Sequence, residues 1–327
     1  MKKRVLGKTN IEVSEISLGT WQLGSKWGDP FDKDVALKTL HNATKYGINC
    51  YDTADVYQDG ESEKVIGEYI KSLDQKPFVI TKNGRRLPTQ TVEGYSEENI
   101  RQFVDDSRKN LDVDKLDMVL LHCPPTDLYY HPEVFEWMDA LKKEGKIKHY
   151  GVSVERIEEG LKALDYEGVE AIEIIFNMFR LRPTEHFFQR AKEANVGVIV
   201  RVPLASGLLT GKFTKESTFS SGDHRQFNRN GEAFDKGETF SGVDFALGLK
   251  AVDELKKVFK GQNLAQVALR YILMFDAVST VIPGASKAEH VASNVKAIDL
   301  PPLSQEEMNK VKEIYDLYIK NPVHYLW

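Results

Sequence analysis

The chain has 327 residues, with 44 Lys plus Arg against 49 Asp plus Glu, a net charge of −5 and two Cys. An apolar fraction of 41 % can bury a large core and excludes a disordered chain. The mild acidity argues against a nucleic-acid surface that grips phosphates, and two Cys exclude a disulfide framework and favour a reducing compartment. The opening MKKRVLGKTN is basic with no apolar stretch behind it, and no segment approaches the roughly 20 apolar residues of a membrane helix. A cytoplasmic protein without membrane or nucleic-acid partners is expected.

In chain order, eight short and nearly continuous apolar runs predict strands: Ile16–Leu18, Ile48–Tyr51, Phe78–Ile80, Met118–Leu121, Ile147–Val152, Ala171–Phe176, Val196–Val200 and Val278–Ile282. Runs of this kind suit strands covered on both faces, as in parallel sheets. Helical patterns lie between them. Val35–Tyr46 sets Val35, Leu37, Leu40 and Ala43 near one face; Ser96–Leu111 has Ser96 as its N-cap; Pro132–Leu141 has Pro in its first turn. Glu155–Leu164, Thr184–Ala194, Phe245–Phe259, Leu264–Met274 and Lys287–Val295 complete the set. Such alternation reads as βαβ units, and eight of them predict an α/β fold, a closed (β/α)8 barrel, as a single domain over residues 1–327. Three additions are expected: a hairpin over residues 1–15 at the barrel floor, a long polar connection over 203–243, and a helix (Gln305–Ile319) with the aromatic tail His324-Tyr325-Leu326-Trp327.

The active site of such a barrel lies at the C-terminal ends of its strands. Gly19-Thr20-Trp21 follow the first predicted strand, Asp52 and then Tyr57 the second, Lys82 and Asn83 the third, and His122 the fourth. Ser153 ends the fifth, Glu173 lies in the sixth with Asn177 at its end, and Arg201 ends the seventh. A free tyrosine phenol titrates near pH 10, and a neighbouring ammonium favours the phenolate. A carboxylate beside that lysine holds it in place, and a histidine can hydrogen-bond a carbonyl oxygen. Asp52, Tyr57, Lys82 and His122 thus suit protonation of an oxyanion formed at a carbonyl carbon. Singly, each has an ordinary use as a turn cap, a solvated charge, a packed ring or a local hydrogen bond; four at strand exits of one barrel argue for chemistry. No metal is expected, because eight His include no His-x-His pair and the strand ends offer only His122, Asp52 and Glu173 as ligands.

No G-x-G-x-x-G follows a strand and no Walker loop is present, so a Rossmann reading fails. Two glycine-bearing stretches remain: Pro203-Leu204-Ala205-Ser206-Gly207-Leu208-Leu209-Thr210-Gly211-Lys212, and Ile282-Pro283-Gly284-Ala285-Ser286-Lys287. Barrels often bind phosphate with the loops after strands seven and eight, and Lys212 and Lys287 could add charge; ordinary loop capping is the other reading.

These residues resemble the aldo-keto reductases, nicotinamide-dependent (β/α)8 barrels, from Leu18-Gly19-Thr20-Trp21 to Asn294. The most specific stretch is Asn49-Cys50-Tyr51-Asp52-Thr53-Ala54-Asp55-Val56-Tyr57 with Gly60-Glu61-Ser62-Glu63 and Gly67, joined by Thr81-Lys82, Leu120-Leu121-His122 and Gly151-Val152-Ser153. Gly207 to Lys212 and Ile282 to Ala285 are similar to the bacterial-type and potassium-channel-β-like branch. The resemblance implies reduction of small aldehydes, ketones or open-chain sugars. Tyr57 is then the proton donor, Lys82 with Asp52 lowers its pKa, and His122 orients the carbonyl. It implies a nicotinamide site at Gly19, Thr20, Trp21, Asp52, Ser153, Glu173 and Arg201, a pyrophosphate site at Pro203, Leu204, Ser206, Gly207, Leu208 and Lys212, and an adenosine site at Gly284, Ser286, Lys287, His290 and Asn294. NADP(H) is favoured over NAD(H). The substrate pocket would be lined by Trp21, Tyr57, Asn83, His122 and Arg201.

Three departures stand out. Val154 replaces the family's usual Asn, Glu173 its usual Gln, and Arg201 the usual stacking aromatic. Arg can stack but brings charge, which would attract a carboxylate or phosphate on the substrate. The alternative function is a binding module that senses nicotinamide redox state for a partner protein; the intact Asp52, Tyr57, Lys82 and His122 favour an enzyme. The 213–243 segment reads as a lid whose Phe219, Phe227, Phe234 and Phe240 dock on closure, against a solvated excursion with His224, Arg225 and Arg229 as surface charge. The tail either packs on its own barrel, caps the pocket or meets another subunit. Cys50 and Cys123 read as core thiols.

Overall fold

The computed structural model describes residues 1–25 and 29–327. An antiparallel hairpin, β1 (Lys3–Val5) and β2 (Glu12–Ser14), precedes eight parallel strands: β3 (Leu18–Gly19), β4 (Cys50–Asp52), β5 (Phe78–Asn83), β6 (Leu116–His122), β7 (Ile147–Ser153), β8 (Ala171–Ile175), β9 (Gly197–Arg201) and β10 (Val278–Val281). Neighbours in sequence are neighbours in the sheet. The sheet closes into a barrel where Ile16 bridges Val281 and Gly19 bridges Gly284, both parallel. A Cβ at Gly19 would lie 2.7 Å from the Ile282 carbonyl oxygen, so this seam needs glycine.

Helices cover the outside: α1 (Lys33–Lys45), α2 (Glu61–Lys71), α3 (Glu97–Leu111), α4 (Pro132–Lys143), α5 (Ile157–Ala163) and α6 (Phe187–Glu193) each follow a strand. The connection after β9 contains the one-turn α7 (His224–Phe227) and leads to α8 (Phe245–Val258) and α9 (Leu264–Leu273); α10 (Ala288–Val295) follows β10, and α11 (Gln305–Ile314) runs into a π turn, Tyr315–Ile319. Local chemistry sets several starts. Asp32 Oδ1 accepts the Val35 N–H at 3.0 Å, and Ser96 Oγ accepts the Asn99 N–H at 3.3 Å, as the N-cap reading of Ser96 requires. Helix α5 begins at Ile157 rather than Glu155 because Glu159 turns back to accept the N–H groups of Glu155 and Arg156 at 2.9 and 3.0 Å.

Strand alternation divides the core in two. Cys50, Ile80, Met118, Leu120, Ala171 and Ile199 point inside the barrel, where Leu6 and Val13 of the hairpin close the floor. Tyr51, Val79, Val119, Leu121, Val152, Ile172, Ile174, Val198 and Val200 point outward under the helices. The interior column continues towards the C-terminal ends as Asp52, Lys82, His122, Ser153, Glu173 and Arg201, with His122 in register with Ser153 and Ser153 with Glu173. An apolar lower layer thus gives way to a polar upper one.

The structure departs from the sequence reading at some elements. Helix α2 was not among the expected helices, yet it buries Val65, Ile66, Tyr69 and Ile70. Its first turn, Glu61-Ser62-Glu63, is polar, and Ser62 and Glu63 are themselves buried against Thr53 and Thr81, which masks the apolar period. The Thr184–Ala194 pattern starts as a helix only at Phe187, because Arg182–Thr184 forms a separate turn. His224, Arg225 and Arg229 are not surface charge. His224 is buried at 4 % exposure, and burial pushes its pKa down to about 4. The Arg225 guanidinium lies over Phe213 and Phe219, and that of Arg229 over Phe219, Phe240 and Phe245. The tail packs on its own chain: Trp327 is buried with its ring 4.2 Å from the Arg180 guanidinium. Among the described residues no helix is long and apolar enough to cross a membrane.

Candidate active site

Lys82 sits at the centre of the polar layer with a fully buried side chain. Its Nζ donates to Asp52 Oδ1 at 2.5 Å and to the Thr53 carbonyl at 3.1 Å, and stands 3.4 Å from the Tyr57 hydroxyl and 3.5 Å from Glu173 Oε2. Burial opposes the ammonium charge, but Asp52, Glu173 and Tyr57 outweigh it, and the Lys82 pKa rises above the ordinary lysine value. The proton therefore stays on Lys82, between two carboxylates.

Tyr57 comes from the turn after β4. Gln58 and Asp59 adopt left-handed φ values of 50° and 54° before Gly60 at 87°, which bends the chain sharply into α2. The Asp55 carbonyl accepts from Arg86 Nε and Nη2 at 3.1 and 2.6 Å and holds the turn over β5. The Tyr57 ring meets His122 edge-on at 6.0 Å. Contrary to the sequence expectation, the Tyr57 pKa is raised, not lowered: Lys82 pulls it down, but burial is the larger effect. Tyr57 is a neutral phenol, as any tyrosine is near neutral pH; burial makes it a weaker acid, and Lys82 offsets part of that effect. Burial, then the cations Arg85, Lys82 and Arg201, hold the His122 pKa well below its ordinary value, so its imidazole is neutral; its Nδ1 is buried without a hydrogen-bond partner.

Ser153 Oγ donates to Glu173 Oε1 at 3.2 Å, which joins both to the Lys82 cluster. Asn83, expected to line the substrate pocket, turns away. It is the outward member of the alternation at the end of β5 and donates to Ser107 Oγ of α3 at 2.8 Å. Trp21 packs at 4.6 Å from the His224 ring and 6.4 Å from Phe234, beneath the connection after β9. Cys50 is a core thiol, its pKa pushed up to about 12 by burial. Cys123 is not. Its backbone has φ 49°, and its Sγ lies 3.5 Å from Ser153 Oγ and 3.4 Å from Arg201 Nη2 in the polar layer.

Three charged residues escaped the sequence reading. Arg201 Nη2 lies 2.8 Å from Glu155 Oε2, and Arg85 Nη2 donates to Glu155 Oε1 at 3.0 Å and to Glu238 Oε1 at 2.5 Å. Glu238 Oε2 is 3.6 Å from Arg201 Nη1, which completes a ring of two guanidiniums and two carboxylates. Arg85 and Glu155 stand just beyond Lys82 and Ser153 at strand exits, and that signal was readable. Glu238, in the middle of a long connection, had none.

Residues that could hold a dinucleotide lie beyond Arg201. Ser206 and Gly207 have φ values of 53° and 96°, and Ser206 Oγ donates to the Glu238 carbonyl at 2.8 Å, so its hydroxyl pins the connection. Leu208 is buried in the core. A Cβ on Gly284 would meet nothing within 4 Å, which leaves open space before α10. Asn294 Nδ2 reaches the Gly284 carbonyl at 3.4 Å, and Ser286 Oγ lies 3.3 Å from His290 Nδ1. Burial, then Lys287 and Lys212, lowers the His290 pKa, so two cations from separate loops face this imidazole. Open space beside converging cations fits a phosphate-bearing coenzyme.

The chain matches the model of the Aldo/keto reductase family over residues 15–316. It is 30 % identical over 315 residues to the uncharacterized oxidoreductase YqkF of Bacillus subtilis, covering 95 % of this chain and 96 % of that one. It is 27 % identical over 330 residues to the NADH-specific methylglyoxal reductase of Escherichia coli, covering 96 % and 98 %. The holo form of aldo-keto reductase AKR11C1 from Bacillus halodurans superposes with a TM-score of 0.78 at 27 % identity, covering 99 % of each chain. A match that spans almost the whole barrel, together with the polar layer at its strand ends, places this chain in the aldo/keto reductase family of oxidoreductases.

Proposed function

We propose that the protein reduces the carbonyl group of small aldehydes, ketones or open-chain sugars with NADPH. The carrying observation is the buried line from Asp52 through Lys82 to the Tyr57 hydroxyl, with contacts of 2.5 and 3.4 Å. When bound, the reduced nicotinamide supplies hydride to the carbonyl carbon. Tyr57 gives its phenolic proton to the carbonyl oxygen, and the Lys82 ammonium stabilises the phenolate left behind. Asp52 holds Lys82 charged and in place. His122, kept neutral, hydrogen-bonds the carbonyl oxygen and orients it towards Tyr57.

Ser153 and Glu173 would meet the coenzyme carboxamide. An ionised Glu173 accepts only from the amide NH2, while the Ser153 hydroxyl can serve the carbonyl. Preference for NADPH is read from Lys212, Lys287 and His290 at the Gly284 opening, because the 2′-phosphate adds negative charge there. The relative from Escherichia coli is NADH-specific by name, so the choice rests on this chain's own residues.

The test is loss of nicotinamide absorbance with NADPH and 4-nitrobenzaldehyde. Wild type should consume NADPH, and Tyr57→Phe should lower kcat by about 10²- to 10⁴-fold. Equal rates in the two proteins would remove Tyr57 as the donor.

A further inference from the structure

We propose that Arg85 and Arg201 form a subsite for a carboxylate carried by the substrate, and that Glu238 occupies this subsite until such a carboxylate displaces it. The inference rests on the carbonyl-reducing reading above and names the substrate class: carbonyl compounds that bear a carboxylate.

Position comes first. Arg201 ends the interior column of β9, with its Nε 4.0 Å from Glu173 Oε1. Arg201 Nη2 also lies 3.4 Å from Sγ of Cys123, the residue after His122, so the ring borders the place where the carbonyl would react. A carboxylate held there belongs to the same small molecule as that carbonyl.

The two carboxylates of the ring differ in how they are held. Glu155 is built into the barrel: its N–H donates to Glu159 Oε2 at 2.9 Å, and its carbonyl accepts from the buried Arg180. Glu238 is delivered by the connection after β9, from the single turn Lys236–Glu238, in which Asp235 Oδ1 accepts the Gly237 N–H at 2.7 Å. It places one oxygen towards each guanidinium, as a ligand carboxylate would. Its backbone carbonyl accepts from Ser206 Oγ at 2.8 Å, so Glu238 is anchored to the connection and to no barrel strand, and its displacement is a movement of its side chain within that connection.

The guanidiniums have capacity for a ligand. Each offers five N–H donors. Arg85 donates to Glu155 and Glu238 from Nη2, and Arg201 Nε, 4.0 Å from Glu173 Oε1, is buried without a hydrogen-bond partner among the described residues. Charge points the same way. Burial raises the Glu155 carboxyl above its ordinary value, whereas against burial Arg85 and Arg201 hold that of Glu238 below it, so Glu238 is the more firmly charged partner of the buried Arg201 and the partly buried Arg85. Buried cations demand a counter-charge, and a substrate carboxylate supplies it when Glu238 leaves.

The experiment compares kcat/KM, with NADPH, for two matched pairs: 4-oxobutanoate against butanal, and 4-carboxybenzaldehyde against benzaldehyde. Wild type should favour the carboxylated member of each pair by about 10- to 100-fold. Arg85→Gln should bring that ratio close to one, and Glu238→Gln should raise it. Benzoate should inhibit wild type competitively against 4-carboxybenzaldehyde, with a lower Ki in Glu238→Gln; this arm stands if Arg85→Gln fails to fold. Equal kcat/KM within each pair in wild type, or an advantage that survives Arg85→Gln, overturns the subsite while leaving the reductase reading intact. Turnover of none of the four aldehydes overturns both.

Discussion

Lys82 and Asp52 form an ion pair of 2.5 Å with both side chains at 3 % exposure or less. Glu173 stands on the other side at 3.5 Å, with its second oxygen 4.0 Å from Arg201 Nε, so Lys82 faces two buried carboxylates and shares one of them with Arg201. Such a pair is weak evidence for net stability, but removal of one partner leaves uncompensated charge in the core.

Lys82→Met is therefore expected to lose activity and also to destabilise the fold by about 3–5 kcal/mol. Tyr57→Phe, which removes one hydroxyl from a half-buried ring, should stay within about 1 kcal/mol of wild type. Urea titrations of both variants decide the matter. A Lys82→Met protein as stable as wild type would mean that the site relaxes without the ammonium, by protonating Asp52, whose pKa burial and Glu173 already raise.

Glu155 makes stability depend on pH. Its pKa rises from the ordinary 4.5 to about 8 on folding, with burial as the leading cause. The folded state thus holds this proton more tightly than the unfolded state. The contribution is complete below the ordinary carboxylate value and is lost as pH rises through about 8. Glu155→Gln should accordingly flatten the fall in Tm between about pH 5 and about pH 8. A variant whose Tm profile parallels wild type over that range would show that Glu155 is ionised in the fold.

Coenzyme choice is tested at the α10 end of the barrel. Lys287 and Lys212 both lower the His290 pKa, after burial, so both lie within electrostatic reach of the same ring. Wild type should bind NADPH more tightly than NADH. Lys287→Ala should weaken NADPH binding by about tenfold, the scale of one charge-assisted contact, and NADH binding by much less. Fluorescence titrations with the two coenzymes measure this directly, and equal dissociation constants in wild type would sink the preference.

Gly242 and Trp327 tie the tail to the connection after β9. Gly242 has φ +74°, and a Cβ there would lie 2.4 Å from the Trp327 indole. Gly242→Ala should cost about 1–3 kcal/mol through overpacking and backbone strain. In a Trp327→Ala background the overpacking share disappears and only the strain remains. Thermal melts of the four proteins form a double-mutant cycle, and strictly additive effects would place the tail elsewhere in solution.

Much of the barrel was legible because β-strands buried on both faces need continuous apolar runs, and the eight expected runs each overlap an observed strand or its flanking bridge. Helix α2 was not legible: Ser62 and Glu63 are polar yet buried, bonded to Thr53 and Thr81 on the sheet. Asp52, Lys82 and His122 could be read because strand exits carry the chemistry of this architecture, and alternation puts all three inside. The same alternation, applied strictly, would have excluded Asn83 one residue on. Cys123 was misread because a left-handed φ at the strand exit turns its thiol into the polar layer.

Local periodicity along each strand encodes the repeating βα pattern, the apolar column inside the barrel and the polar residues that end it. Which charges meet follows from the closed barrel. Arg85 pairs with Glu155 across 70 residues and with Glu238 across 153, and no local pattern encodes either contact. Closure also reversed the expected shift at Tyr57, because burial depends on the closed barrel and here outweighs the nearby Lys82. Charge pairing and desolvation are properties of the assembled interior, and they exist only once the sheet has closed.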